Sequence, residues 1–172
     1  LMKLEEYIDS IIDWPEQGVN FKDITPLLSE PKAFKEAVHG MIDLINNDAS
    51  LLAGIESRGF IFASAMATKL NFGLTLLRKS GKLPPPKVSN KYKLEYGFDE
   101  MEVKKAKQKN RRIILIDDIL ATGGTILSAY TLCTKAGYKI SQVIVLIDLI
   151  NIHPENFCLP NGLKIDSLLQ MP

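Results

Sequence analysis

The chain has 172 residues, a length that suits one domain with its own hydrophobic core. It is 46% hydrophobic and 24% charged, values that are ordinary for a globular protein in water and argue against a disordered or membrane-embedded chain. Its 21 basic and 20 acidic residues leave a net charge of +1, so the composition argues against a nucleic-acid-binding surface.

The N-terminal segment, LMKLEEYIDSIIDW, carries acidic residues where a secretory signal peptide needs an unbroken apolar stretch. No apolar run in the sequence is long enough to span a membrane. The two cysteines, Cys133 and Cys158, are unclustered and fit no metal-binding spacing. We therefore expect reduced thiols in a cytoplasmic protein that has neither a membrane nor a nucleic acid as a partner.

Continuous apolar runs predict four strands buried on both faces, namely LLAGI (51–55), LTLLR (74–78), IILID (113–117) and VIVLID (143–148). Helical patterns alternate with these runs and predict helices over residues 31–46, 60–70 and 125–135. Pro31 suits the first position of a helix, and Gly137 suits the cap after the last one. The alternation indicates an α/β fold with a mostly parallel sheet, in which ligands bind beyond the carboxyl ends of the strands.

Residues 79–111 interrupt this alternation with a polar, lysine-rich and proline-punctuated segment. A connection of this length is typical of a lid or a functional loop. A second interpretation is a solvated hairpin, because KYKLEYG (91–97) and MEVKK (101–105) could pair as two exposed strands. The composition favours neither interpretation over the other.

Basic residues follow the first two predicted strands. Arg58, in the sequence ESRGF, presents a planar guanidinium that suits a phosphate or a carboxylate, although it could also pair with Glu56 in a surface turn. Arg78, Lys79 and Lys82 follow the second strand, where such a group is usually a solvated turn. Beside Arg58, these residues become a candidate anion site.

The third predicted strand ends on two adjacent acids, Asp117 and Asp118, although ionised carboxylates resist burial. Two carboxylates at a strand end can accept hydrogen bonds from vicinal hydroxyls or hold a hydrated divalent cation. The following turn, ATGGT, leads into a helix, and its amides, hydroxyls and helix N-terminus suit a phosphate. A side chain at Gly124 is expected to crowd this cradle. The separation of acids and turn fits a ribose 5-phosphate.

Other phosphate-binding motifs fit less well. The G-x-x-x-x-G-K spacing of a P-loop is absent, and so is the glycine pattern of dinucleotide-binding folds. A receiver domain of phosphosignalling also ends a strand on an acid. Its acid accepts a phosphoryl group, however, and it would not need a glycine–threonine turn close behind it.

The stretch IILIDDILATGGT (113–125) resembles the phosphoribosyl diphosphate signature of the type I phosphoribosyltransferases. Four further stretches resemble the adenine branch of that family, namely DWPEQGVNFKDITPLL (13–28), ESRGF (56–60), RKSGKLP (78–84) and LEYG (94–97). The resemblance covers the chain from Trp14 to Leu169. It implies one phosphoribosyltransferase domain over residues 1–172, with a central mostly parallel sheet flanked by helices, a small N-terminal hood over about residues 1–28 and a flexible catalytic loop over about residues 79–111.

The resemblance implies an enzyme of purine salvage that converts adenine and 5-phospho-α-D-ribose 1-diphosphate to AMP and diphosphate. It implies Mg²⁺ as the cofactor and a homodimer as the assembly. The ribose hydroxyls would bind Asp117 and Asp118, directly or through Mg²⁺. The 5-phosphate would be held by the turn residues Ala121, Thr122, Gly123, Gly124 and Thr125.

The resemblance also implies which residues hold the leaving group and the purine. The diphosphate would contact Ser57 and Arg58, across a cis non-proline peptide, and the cations Arg78, Lys79 and Lys82. The closing loop would supply Glu95 and Tyr96. The catalytic groups implied are Glu95, Arg58 and Lys82. The purine would stack on Phe21, with its edge read near Asn20 and Lys22.

Two residues of the purine-binding segment depart from the family pattern. Lys22 stands where arginine is usual, and Asn20 stands where an apolar residue is common. Lysine lacks the planar fork of arginine, so we expect an altered affinity or preference for the purine. If a planar contact matters, Lys22→Arg is expected to lower the KM for adenine.

Two alternatives remain open from the sequence. The same chemistry could act on another purine, such as xanthine, hypoxanthine or guanine. A non-catalytic regulator could keep the fold and sense phosphoribosyl diphosphate, but it would be expected to carry an added DNA-binding segment and a decayed loop. The chain has neither feature, and it retains Arg78, Lys79, Lys82 and Glu95.

Overall fold

The computed structural model describes the backbone of residues 2–93 and 98–172, and all of their side chains except those of residues 92, 93, 98 and 99. The chain divides into two compact units, Leu1–Gly40 and Met41–Pro172. The boundary lies beyond residue 28, where the sequence places the end of the hood.

The first unit contains a short antiparallel hairpin followed by helices. Its elements are a 3₁₀ helix over Leu4–Tyr7, strands β1 (Asp9–Ile12) and β2 (Asn20–Asp23), helix α1 (Thr25–Ser29) and most of helix α2 (Pro31–Asp43). Asp13 Oδ1 accepts the Gly18 N–H at 2.7 Å in the hairpin turn, and Asp23 Oδ1 accepts the Thr25 N–H at 2.9 Å before α1. These short side chains satisfy backbone donors that no strand or helix pairs.

The second unit is built on a seven-stranded sheet. Its strands are β3 (Leu51–Ile55), β4 (Gly73–Lys79), β5 (Lys87–Lys93), β6 (Phe98–Lys104), β7 (Arg111–Leu120), β8 (Tyr138–Leu149) and β9 (Ile165–Met171). They lie in the order β5-β6-β4-β3-β7-β8-β9. The five strands from β4 to β9 in this order pair in parallel, and β5 and β6 form an antiparallel hairpin beside β4. The predicted mostly parallel α/β sheet is therefore confirmed.

Two helices of the second unit, α3 (Arg58–Leu70) and α4 (Gly124–Lys135), pack on this sheet. Helix α3 lies against β3 and β7, and α4 lies against β5, β6 and β8. The close approach of α3 depends on Gly54, where a Cβ would come within 2.9 Å of the Ala63 Cβ. The central strands carry fully buried side chains such as Leu115, and each of these contributes about 1.5–3 kcal/mol through burial.

Except for α2, the observed elements contain the predicted ones, and most extend beyond them. Strand β3 has the predicted bounds, whereas β7 runs from Arg111 to Leu120 instead of from residue 113 to 117. Helix α3 begins at Arg58 instead of Phe60, and α2 ends at Asp43 instead of residue 46. The ends that the apolar runs leave out of β7 are the exposed Arg111 and Arg112 on one side and a stretch with the buried Asp118 and Leu120 on the other, so exposure explains only the first omission.

The hairpin interpretation of residues 79–111 is confirmed by β5 and β6. The pairing begins with Lys87 opposite Lys104, earlier in the chain than the predicted start at residue 91. The LEYG stretch (94–97) lies outside the described residues. The lid interpretation of the same segment stays a prediction.

The expected free thiols are also present. Cys133 is buried and Cys158 is exposed, and neither belongs to a disulfide. Across residues 2–93 and 98–172, no helix combines the length and the apolar character that a membrane crossing requires.

Candidate active site

The acid pair lies where β7 extends past its neighbour β3. The pairing of β7 with β3 ends at Ile116, whereas its pairing with β8 continues to Leu120 opposite Asp148. Asp117 and Asp118 therefore have a neighbouring strand on one side only. The sequence placed these acids at the end of the strand, and this was wrong by a few residues, because β8 keeps β7 extended beyond them.

Both carboxylates of the pair are almost completely buried, with exposures of 7% for Asp117 and 4% for Asp118. Burial and the neighbouring Asp118 charge raise the pKa of Asp117 well above its ordinary value. Burial also raises the pKa of Asp118, although the Arg58 guanidinium opposes this. Two buried carboxylates in one place are costly in the empty protein, and a ligand that supplies donors or a cation would offset that cost.

Arg58 is the first residue of α3, and its Nε lies 2.8 Å from Asp118 Oδ2. The turn before it contains a non-proline cis peptide bond between Glu56 and Ser57, one bond earlier than a bond between Ser57 and Arg58. Gly59 lets the helix begin here, because a Cβ at that position would lie 2.8 Å from the Ile116 carbonyl oxygen. The guanidinium and the acid pair therefore belong to one site.

The alternative pairing of Arg58 with Glu56 is not the one observed. Glu56 Oε2 lies 3.4 Å from Arg78 Nε and accepts the Lys79 N–H at 2.7 Å. Burial alone would raise the pKa of Glu56, but the Lys79 N–H and Arg78 bring that pKa below its ordinary value. Glu56 thus fixes the end of β4, and with it two of the predicted cations, beside the turn that carries Arg58. The third cation, Lys82, is exposed in the next turn.

The predicted phosphate turn connects β7 to α4, which begins at Gly124. It borders a cavity of about 100 Å³ lined by Asp117, Ile119, Leu120, Ala121, Thr122, Gly123, Thr125 and Ile126. Gly123 adopts a φ of +85°, a left-handed conformation that favours glycine. Asp117 and the phosphate turn therefore line one cavity at the carboxyl edge of the sheet, next to the N-terminus of a helix, and Asp118 follows Asp117 on the same strand and contacts Arg58.

The acid pair suits a divalent cation only together with oxygens from a ligand. In the part of the chain that the structure describes, no three His, Cys, Asp or Glu side chains are grouped so that they could hold a metal ion. Asp118 Oδ2 is buried, and its contact with Arg58 Nε lacks the alignment of a hydrogen bond. That oxygen can accept a bond from a hydroxyl or from metal-bound water, so the donor set fits a hydrated Mg²⁺ held partly by substrate.

The predicted purine-binding residues lie on β2 of the first unit. Asn20 is exposed, and the Phe21 ring packs edge-on to Trp14 with centroids 4.5 Å apart. Lys22 is 5% exposed, and its Nζ donates to Ser10 Oγ at 2.9 Å. Neighbouring residues of a strand point to opposite faces, so the Lys22 side chain points away from the face of Phe21. This geometry argues against a planar contact between residue 22 and a purine stacked on Phe21.

Two predicted site residues lie outside the part of the chain that the structure describes, and two residues beside the site were not predicted from the sequence. Glu95 and Tyr96 lie outside the described residues. The sequence did not indicate that Glu56 binds Arg78 and Lys79 at the end of β4. It also did not indicate that the Phe157 ring lies behind the phosphate turn, where a Cβ added to Gly123 would lie 2.5 Å from Phe157 Cε2. Phe157 is distant in the sequence and belongs to no motif, so only the fold brings it to the turn.

Comparisons with known proteins match the chain to phosphoribosyltransferases. A family model described as "phosphoribosyl transferase domain" matches residues 25–151. The adenine phosphoribosyltransferase of Polynucleobacter necessarius is 40% identical over 171 residues, which are 98% of this chain and 99% of that protein. The crystal structure of the Thermoanaerobacter pseudethanolicus adenine phosphoribosyltransferase is 36% identical and has a TM-score of 0.90, over 98% of this chain and 100% of the other. The Giardia lamblia enzyme, solved in complex with 9-deazaadenine, is 31% identical with a TM-score of 0.86, over 98% and 96% of the two chains.

Proposed function

The chain belongs to the phosphoribosyltransferase family, and from this membership we propose that it transfers the 5-phosphoribosyl group of 5-phospho-α-D-ribose 1-diphosphate to adenine. The products are AMP and diphosphate. The observation that carries the proposal is the cavity that joins Asp117, one residue of a buried acid pair, to a phosphate turn at a helix N-terminus. This arrangement suits a ligand with vicinal hydroxyls and a phosphate, and a ribose 5-phosphate has both.

The acid pair and the turn hold the sugar. The carboxylates of Asp117 and Asp118 accept hydrogen bonds from the ribose 2- and 3-hydroxyls, and the residues from Ala121 to Thr125 hold the 5-phosphate. Mg²⁺, when bound, would neutralise charge on the diphosphate and would be held partly by oxygens of the substrate. The two acids take part in that site through the substrate hydroxyls or water.

The basic residues act on the leaving group. The N9 nitrogen of adenine attacks the anomeric carbon as the bond to diphosphate breaks, so the product forms with inversion. Positive charge builds on the ribose ring and negative charge on the departing diphosphate. That negative charge is bound and stabilised by one serine and four basic residues, namely Ser57, Arg58, Arg78, Lys79 and Lys82. The Glu56 carboxylate keeps Arg78 and Lys79 in place for this role.

The purine is bound by the β2 strand of the first unit. Phe21 stacks on the base, and backbone groups near Asn20 and Lys22 read its edge. The part of the segment over residues 79–111 that carries Glu95 and Tyr96 closes over the bound substrates, which keeps water from trapping the cationic sugar. Glu95 then assists proton transfer at the imidazole nitrogens of the purine.

The biological setting proposed is purine salvage in the cytoplasm by a homodimer with Mg²⁺. The homodimer is checked by light scattering of the purified protein, which should give twice the chain mass of 19.2 kDa. A monomer at the concentrations used in the assay would remove that part of the proposal and leave the reaction untouched.

The reaction itself is tested by incubating the protein with adenine, phosphoribosyl diphosphate and Mg²⁺ and separating the products. AMP and diphosphate should form in equal amounts, and chelation of Mg²⁺ should abolish both. Hydrolysis of phosphoribosyl diphosphate without AMP formation, or no reaction at all, would refute the proposal.

A further inference from the structure

Glu102, on strand β6, is a buried carboxylate outside the groups that face the substrate, with an exposure of 1%. It accepts hydrogen bonds from the Gly81 N–H at 2.9 Å and from the Leu83 N–H at 3.2 Å. It also accepts the Lys87 ammonium at 2.7 Å, and the Ser80 hydroxyl lies 3.4 Å away. A carboxylate withdrawn from water is costly unless such donors compensate it, so these bonds allow Glu102 to stay inside the protein.

The donors around Glu102 also keep it ionised. The Lys87 ammonium and the Gly81 N–H lower the pKa of Glu102 to about 2, although burial opposes this. At neutral pH the carboxylate is therefore charged. Hydrogen bonds to a charged acceptor are shorter and stronger than those to a neutral one, so the segment that donates them is firmly held.

The two backbone donors flank Lys82. Gly81, with a φ of +80°, and Leu83 both bond the buried carboxylate, so the main chain of Lys82 is fixed on each side while its side chain is exposed. Glu56 fixes the preceding end of the same segment through the N–H of Lys79. Two carboxylates therefore hold the stretch of chain that carries the cations proposed for the diphosphate.

We propose that Glu102 is a positioning residue of the transferase reaction, which holds the turn of residues 80–83 so that Lys82 meets the diphosphate of bound phosphoribosyl diphosphate. This inference rests on the proposed function. A loosened turn would have to be ordered each time substrate binds, and that ordering costs conformational entropy. Because Glu102 keeps the turn ordered in the folded protein, substrate binding does not have to order it. Glu102 thus acts through Lys82 without touching the substrate.

The first test is Glu102→Gln, which keeps the shape of the side chain but loses its charge and one acceptor atom. The KM for phosphoribosyl diphosphate should rise about tenfold, as expected for the loss of a charge-assisted hydrogen bond. The Kd for AMP, which has no diphosphate, should not change. The matched comparison is Glu100→Gln on the same strand, where the carboxylate accepts the Ser80 hydroxyl at 2.7 Å, and it should raise the KM for phosphoribosyl diphosphate much less than Glu102→Gln does. An unchanged KM in Glu102→Gln, or an equal loss of AMP affinity, would overturn the inference.

A second variant tests the role of the turn of residues 80–83 while leaving the Glu102 carboxylate unchanged. A Cβ at Gly81 would meet no atom within 4 Å, but the φ of +80° disfavours any side chain there. Gly81→Ala should therefore fold normally, loosen the turn and raise the KM for phosphoribosyl diphosphate selectively. Wild-type kinetics in Gly81→Ala would contradict the proposed role of the turn.

The decisive experiment combines Glu102→Gln with Lys82→Met in a double-mutant cycle. If Glu102 acts through Lys82, adding Glu102→Gln to Lys82→Met should produce no further rise in the KM for phosphoribosyl diphosphate. Multiplicative effects of the two substitutions would overturn the inference. Absence of AMP formation by the wild-type protein would instead refute the proposed function, so the two failures are distinguishable.

Discussion

Two adjacent glycines of the phosphate turn have different surroundings. At Gly123 the φ is +85°, and a Cβ would lie 2.5 Å from Cε2 of the Phe157 ring. At Gly124 a Cβ would meet only Thr122 Oγ1, at 3.7 Å. From the sequence, Gly124 was the position where a side chain would crowd the cradle. The structure shows that the protein itself is crowded at Gly123, whereas the described residues leave room for a Cβ at Gly124.

Gly123→Ala should therefore be the more damaging of two alanine substitutions. A strained backbone costs about 1–3 kcal/mol, and the Phe157 ring must also move, so the KM for phosphoribosyl diphosphate should rise about tenfold or more. Gly124→Ala adds a Cβ to the same turn without crowding by the protein, so its KM should rise less than that of Gly123→Ala. Steady-state kinetics of both variants decide this, and the reverse order of effects would contradict the role given to Gly123.

The acid pair should contribute to substrate binding through its charges. Asp117→Asn and Asp118→Asn keep the size of each side chain, so buried packing is preserved. Each charge-assisted hydrogen bond contributes roughly 1.5–3 kcal/mol, and each variant should weaken binding of phosphoribosyl diphosphate by about tenfold or more. Isothermal titration with phosphoribosyl diphosphate and Mg²⁺ measures this directly. Wild-type affinity in either variant would remove that acid from the ribose site.

At the residue scale, the sequence predicts the groups that form local motifs and misses those that only the fold brings in. The acid pair and the glycine turn are contiguous, and their resemblance to a family signature made them visible. Glu56 looked like a partner for Arg58, but it holds Arg78 and Lys79 across the β3–β4 pairing. Such partners depend on strand register, which short apolar runs do not specify.

The β5–β6 hairpin is attached to the rest of the sheet at one end only. Strand β6 pairs with β4 through Glu102 and Met101, and the Glu100 carbonyl accepts the Ser80 N–H at 2.9 Å, whereas Phe98 and Asp99 are paired with β5. The turn of residues 80–83 is held separately by the Glu102 carboxylate. A closing motion should therefore be confined to the end of the hairpin.

Hydrogen exchange tests this restriction of the predicted lid. The Gly81 and Leu83 amides should exchange slowly both with and without substrates, because the carboxylate that binds them is part of the fold. Amides of residues 91–93 and 98–100 should gain protection when phosphoribosyl diphosphate and an unreactive adenine analogue are bound. Equal exchange of the hairpin end in the two states would contradict closure. Fast exchange at residues 81 and 83 in the free protein would contradict the anchored turn.

The ionised Glu102 carboxylate also predicts that the stability of the fold depends on pH. The pKa of Glu102 is lowered from 4.5 to about 2 in the folded protein. Its contribution to the free energy of unfolding is thus fully present above about pH 4.5 and is lost as the pH falls through about 2. Urea unfolding at a series of pH values should show that Glu102→Gln is less stable than wild type at neutral pH, with a difference that shrinks in acid. A constant difference would show that the charge of Glu102 does not stabilise the fold.

At the scale of elements, continuous apolar runs predicted four strands of the sheet, but the expected burial on both faces was wrong for β4, where Leu77 is buried and Leu74 is exposed. The β1–β2 and β5–β6 hairpins carry mainly polar or exposed residues, and β9 mixes charged with apolar positions, so no buried run marked them. Their pairing depends on neighbours distant in the sequence. The pattern of apolar residues therefore predicts only some of the seven strands, and it does not predict their order in the sheet.

Over the whole molecule, the proposed functions divide between the two units. The second unit carries every described residue assigned to the ribose, the 5-phosphate and the diphosphate. The first unit carries the residues assigned to the purine, and there the chain departs from the family pattern at Asn20 and Lys22. The departures therefore fall in the unit assigned to the purine, although the Lys22 side chain points away from the face of Phe21, while the phosphoribosyl site follows the family motif.

One measurement tests the central claim most directly. The protein is incubated with phosphoribosyl diphosphate, Mg²⁺ and an equimolar mixture of adenine, hypoxanthine, guanine and xanthine, and the nucleotide products are separated and quantified. AMP should be the dominant product from the earliest time points, since competition reports the ratio of kcat/KM values for the bases. A dominant yield of IMP, GMP or XMP would contradict the assignment to adenine, and no nucleotide from any base would contradict transferase activity altogether.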